Sequence, residues 1–161
     1  MARYNPKGTE KWLFFPTAST PADLAAITQA EIVAGTTVDM TGVANSEALV
    51  EAGNWVSSPS VINTPDILST DTGNVEGDST RGIATMQFYL DSVPASNVIK
   101  AAFPSGTVGT MVKFPQGTAA ATVSEAIPCT CVLNQLDDVA GPKMYTLHWS
   151  QGSASTGIVA A

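Results

Sequence analysis

Five segments of this chain alternate apolar and other side chains with a period of two. That pattern limits it to folds built mainly from strands with one buried side. Lys11–Phe15 is aromatic and closes at Pro16. In Ile83–Leu90, Met86, Phe88 and Leu90 share a face. Val108–Phe114 ends at Pro115. Thr122–Leu133 puts Val123, Ile127, Cys129, Cys131 and Leu133 on one side, with Glu125 the exception. Met144–Ser150 does the same with Tyr145, Leu147 and Trp149. Pro128 lacks an N–H, so its strand is expected to be an edge or to bulge there. Two short helices interrupt the pattern. Thr28-Gln-Ala-Glu31 is a capping box, and Gly35 supplies a stop, giving a helix over Gln29–Ala34. Ala95–Ala102 lies between Pro94 and Pro104, with Val98, Ala101 and Ala102 as its packed face.

The length of 161 residues suits one domain. Residues 1–150 are read as that domain and 151–161, rich in Ser, Ala and Gly, as a flexible tail. Charged residues are only 13% of the chain, against about 25% in an ordinary soluble domain. The surface must then be largely Ser, Thr, Ala and Gly, which desolvates cheaply. Monomers usually keep solubility with charge, so this surface reads as one that meets copies of itself. The charge is also uneven: residues 12–80 carry nine carboxylates and no Lys or Arg. The net charge of −7 argues against a surface that grips nucleic acid. No apolar run approaches the ~20 residues that span a bilayer. The N-terminus lacks the pattern of a secretory signal, so synthesis in the cytoplasm is expected.

Residues 57–82 hold two prolines, three glycines and four acids, and their aliphatics keep no period. Loops of this length are uncommon unless functional or disordered. Val61, Ile62, Ile67 and Leu68 suggest a segment that orders against a neighbour.

Catalytic chemistry is hard to assemble. His148 sits opposite Tyr145, Leu147 and Trp149 on the last apolar strand. Cys129 and Cys131 read as small reduced core residues. With His148 they make only three soft ligands at no recognised zinc spacing. Asp137-Asp138 before Gly141-Pro142 reads as a hairpin turn. The loop acids Asp66, Asp71, Glu76 and Asp78 lack the EF-hand spacing. No nucleophile motif or phosphate loop appears. No catalytic residue, cofactor or metal site is expected.

The order of the segments carries a resemblance. The Trp12-to-Pro16 strand precedes Thr28-x-Ala-Glu-Ile-x-Ala-Gly35 and the Trp55 segment, which leads into Asn63-Thr-Pro-Asp-Ile-Leu68. The acidic loop ends at Thr80-Arg-Gly82, and Met86-Gln-Phe-Tyr-Leu-Asp91 follows. Then come Gly109-Thr-Met-Val-Lys-Phe114, Ile127-Pro-Cys129 and Asn134–Asp138. Over roughly residues 4–150 this resembles the major tail (tail tube) proteins of long, non-contractile-tailed phages, particularly those of actinobacterial hosts. The resemblance implies a mainly β fold, a β-sandwich or barrel with a flanking helix and a long inter-strand loop. It implies rings of six stacked into a tube for DNA ejection, with tail tip, terminator and tape measure proteins as partners. DNA would pass without specific binding, no membrane would be involved, and the protein would reside in the virion. The long loop, here Val61, Ile62, Thr64, Pro65, Asp66, Ile67 and Leu68, would reach the adjacent ring. Uncompensated acids would keep DNA off the wall, and Asp39, Glu47, Glu51 and Asp91 are the candidates. The competing reading is a non-catalytic β-sandwich binding module, an adhesin or carbohydrate-binding type, with Trp12, Trp55 or Trp149 exposed as a platform.

Overall fold

The computed structural model describes residues 9–34, 36–42, 46–64, 73–76, 79–137 and 140–161. In chain order the strands are β1 (Lys11–Pro16), β2 (Val38–Asp39), β3 (Leu49–Gly53), β4 (Ser57–Ser58), β5 (Val61–Thr64) and β6 (Gly73–Glu76). They continue with β7 (Thr80–Arg81), β8 (Ala84–Tyr89), β9 (Val108–Phe114), β10 (Val123–Asp137), β11 (Met144–Gln151) and β12 (Ser155–Ile158). Helices α1 (Gln29–Ile32) and α2 (Val98–Ala102) are short, and two 3-10 turns lie at Thr17–Ser19 and Pro94–Ser96. Gly35, Pro65, Asp66, Ile67 and Leu68 lie outside the described residues.

The fold is mainly β, as the period-two pattern requires. The main sheet runs β2-β1-β9-β10-β11-β8-β3, with β12 pairing β10 off this path. Every pair is antiparallel. The path is open, yet the sheet coils tightly. In a flat sheet β1 and β11 would lie three spacings, about 14 Å, apart. The Phe14 and Trp149 rings are instead 5.5 Å apart across the hollow side. Close approach is possible because Gly109 has no side chain: a Cβ there would fall 2.4 Å from the Phe14 ring.

Two cores result. The hollow side holds Trp12, Phe14, Met86, Phe88, Met111, Ile127, Cys129, Cys131, Tyr145, Leu147 and Trp149, closed by Trp55, Ile99 and Phe103. Phe103 stands edge-on to Phe14 at 4.8 Å and to Trp149 at 5.2 Å. The second core lies on the outer side, where Leu13, Phe15, Val112, Phe114 and Ala126 meet Ile27, Ile32 and Val159. Thr28 caps α1: its hydroxyl accepts from the Glu31 N–H, and the Glu31 carboxylate accepts from the Thr28 N–H at 2.8 Å.

Four local expectations change. The bulge after Cys131 turns Leu133 away from Ile127, Cys129 and Cys131 to the outer side, opposite His148. Pro128 is neither at an outer edge nor at the bulge, which falls between Cys131 and Leu133. It pairs with Thr110 of β9 on one side. On the other side its carbonyl accepts from the Gly152 N–H, between the end of the β12 pairing at Ala126 and the start of the β11 pairing at Cys129. Residue 128 therefore needs no donor where the two partner strands hand over. In α2 the buried side chain is Ile99, with Phe103 buried just beyond its end, while Val98 is 64% exposed and Ala101 and Ala102 are exposed as well. The Glu47 carboxylate accepts from the Ile99 and Lys100 N–H groups, at 2.8 Å each, and fixes that orientation. Finally, 151–161 is not a loose tail. Ser155–Ile158 pairs with Val123–Ala126, Val159 is buried, and the Ala160 N–H donates to the Ile27 carbonyl at 2.8 Å. One buried valine among Ser, Thr and Gly is too little to announce a strand.

Candidate functional site

Among the described residues the outer side of the sheet is covered over β1, β9 and the start of β10, at Ala126, and bare over the rest of β10 and over β11, β8 and β3. Alternation and register place the side chains of the bare part in cross-strand rows. One row is Glu51, Gln87, Thr146 and Gln135. The next is Gly53, Thr85, His148 and Leu133. A third is Tyr89, Met144 and Asp137. The rows contain two carboxylates and no Lys or Arg. Asp137 joins two of them, accepting from Gln87 Nε2 at 2.9 Å and Thr146 Oγ1 at 2.6 Å. Rows of mixed polar and apolar side chains with two acids and no Lys or Arg offer phosphates little counter-charge, and binding to nucleic acid depends on such charge.

The four acids proposed from sequence are not brought together. Glu51 lies on the bare face. Asp39 is on β2 at the far edge, ion-paired to Lys11 at 2.9 Å. Burial pushes its carboxyl up, but hydrogen bonds from Thr41 and Lys11 outweigh this and hold it below the ordinary range. Asp91 follows β8, where the Ser46 hydroxyl and the Val93 N–H hold it below that range. Glu47 is corrected: it is 3% exposed and does not stand on the bare face. It accepts from the Tyr145 hydroxyl as well as from the first amides of α2. Burial, and then the hydrogen bond to Glu47, push the Tyr145 hydroxyl well above its usual pKa. Asp137, read from sequence as part of a turn, is the second acid of the bare face. Pairing the β10–β11 hairpin through Gly141 would have exposed it, because Asp137 then falls opposite Met144 and beside Thr146.

Of the loop residues, Val61, Ile62 and Thr64 belong to β5, which pairs with β6 as a two-stranded ribbon. The ribbon's root is fastened to the sheet. Arg81 Nη1 donates to Gln151 Oε1 at 3.3 Å, and Gln151 Nε2 donates to the carbonyls of Asn54 and Gly82.

The thiols and the imidazole lie on opposite sides of the sheet. Cys129 and Cys131 are buried in the hollow core, and burial pushes the Cys129 thiol up to about 12 and raises that of Cys131. His148 stands on the bare face. No metal-holding cluster occurs among the described residues. Trp12, Trp55 and Trp149 are all buried, with neighbouring rings 5.6 and 6.3 Å apart, so none forms a platform for a sugar. Among the described residues no helix is long and apolar enough to cross a membrane.

Residues 1–148 match the sequence model of a family described as phage tail tube protein. The chain belongs to the phage tail tube protein family. A tail tube protein is a structural part of a virion, assembling with copies of itself and with other tail components, and the family in general is not enzymatic. A similar solved structure is a chain from "Cryo-EM structure of the anti-feeding prophage (AFP) baseplate, 6-fold symmetrised". It shares 9% identity with this tail tube protein, with a TM-score of 0.54 over 97% of each chain, which establishes likeness of fold. No curated protein matches the sequence.

Proposed function

We propose that this tail tube protein forms six-membered rings that stack into the tube of a long, non-contractile phage tail, with the bare sheet face lining a channel for DNA ejection. The observation that carries the reading is the makeup of that face: three cross-strand rows with Glu51 and Asp137 and no Lys or Arg. A polyanion is neither held nor slowed by such a wall. The six-fold symmetry named for the structurally similar baseplate supports the ring number. The order of sequence motifs supports the non-contractile tail and an actinobacterial host. The exposed ends of the sheet, β3 above all, present backbone groups that a second copy can pair. A head-to-tail contact of this kind closes into rings or continues into filaments. The partners are other copies, the tail tip and terminator proteins, and the tape measure protein within the channel. The single domain is the repeating unit.

Negative-stain electron microscopy of concentrated protein, with light scattering on the same sample, tests this reading. Rings or tubes of constant diameter with a central channel are expected. A monomer at every concentration overturns it.

A further inference from the structure

The chain leaves the main sheet after β3 and returns to it before β8, and one side chain holds both legs. Gln151, the last residue of β11, gives both amide protons to backbone carbonyls. Its Nε2 donates to Asn54 on the outgoing leg at 2.7 Å and to Gly82 on the returning leg at 2.8 Å. Its Oε1 accepts from Arg81 Nη1 at 3.3 Å, and Arg81 Nη2 lies 3.8 Å from Glu125 Oε1 on β10. A primary amide suits this place because it offers two donors and an acceptor on one flat group.

The outgoing leg is shaped for the grip. Asn54 turns the chain at φ +61°, a left-handed conformation that asparagine tolerates better than most residues. Trp55 then enters the hollow core, 6% exposed, with Nε1 donating to the Thr85 carbonyl at 3.3 Å. Beyond these anchors the two legs pair with each other, Ser57 with Arg81 and Ser58 with Thr80. Among the described residues no packing supports them at that point. Val56, Ser57, Ser58 and Thr80 are exposed. A hollow of about 390 Å³, lined by Ser57, Ser79, Arg81 and Gln151, separates the legs from the link between β11 and β12.

Trp55 pins one leg at one point, about which the pair could swivel. Gln151 ties the second leg to the first and both to β11, and a body held at two separate points does not swivel. We infer that Gln151 is a positioning residue that sets the angle at which β4 and β7 leave the sheet. In an assembly of identical copies, a projecting element makes the same contact in every copy only if it projects at one angle. The inference concerns the single chain and stands apart from the tube reading.

The test uses the full chain with spin labels on Ser58→Cys and Gln135→Cys, diluted into unlabelled chain so that only distances within one copy are read. Both positions are exposed, while Cys129 and Cys131 are buried. The chain without added cysteines serves as the labelling blank. One narrow distance distribution is expected for the doubly labelled chain. Gln151→Glu keeps the shape of the side chain and an acceptor for Arg81 but loses both donors. It should widen the distribution about twofold and leave the denaturation midpoint in place, and Gln151→Ala should do the same. A narrow distribution in Gln151→Glu overturns the inference, since a residue that merely fills space would tolerate that exchange. A broad distribution with Gln151 intact overturns it too. So does widening matched by a fall in the midpoint, which marks general loosening. Tube formation is not read, so failure of the tube reading leaves this test intact.

Discussion

The outer side of the sheet has two halves of opposite character. Over β1 and β9 it is sealed by Ile27, Ile32 and Val159, so these strands are buried on both faces. Over β11 and β8 nothing among the described residues covers it, and only the alternate residues are buried. The sealed half has no room to change a side chain. The bare half keeps its strands in place from one side alone and leaves the other side's chemistry free. A face can serve as a wall only if the fold does not need it.

The largest test of that contrast is Phe15→Ala in the sealed half. Phe15 is fully buried, and the substitution should cost about 3–5 kcal/mol by chemical denaturation. Next comes Glu47→Ala, which leaves the Ile99 and Lys100 amides and the Tyr145 hydroxyl without their acceptor; loss of about 3 kcal/mol is expected from the same measurement. Acid acts more gently. Glu31, Asp39 and Asp91 all have lowered folded-state pKa values. A lowered carboxyl contributes stability that is complete above its unfolded pKa and is lost as pH falls through the folded value. The melting temperature should therefore hold steady down to about pH 5 and decline below about pH 4. The smallest effect belongs to the bare half: His148→Ala should shift stability by less than about 0.5 kcal/mol. A cost for His148→Ala comparable with that of Phe15→Ala would erase the distinction between the halves.

What is legible in the sequence follows from the range of the interactions. Strands β1, β8, β9, β10 and β11 announce themselves because alternation is local. The α1 cap is local too, spanning Thr28 to Glu31. Glu47 reads as a surface acid in the sequence because its partners lie about 52 and 98 positions further on. The buried face of α2 is hidden for the same reason, since the carboxylate that orients it belongs to another segment. β12 gives no local sign because it depends on Gly157 fitting under Ala25, where a Cβ would lie 2.3 Å from the Ala25 carbonyl oxygen. The bare face needs the register: its residues are ordinary alone and form a row only when Glu51, Gln87, Thr146 and Gln135 align.

The aromatic cluster of the hollow core has an optical consequence. Trp12, Trp55 and Trp149 come from the first strand, the loop after β3 and the end of β11, yet their rings stand 5.6 and 6.3 Å apart in series. At such spacing excitation migrates among indoles faster than it is emitted. The three then fluoresce as one chromophore, and their coupled transitions add an exciton signature to the circular dichroism. That signature exists only while the sheet is coiled, so it reports closure of the coil in a chain that carries no label.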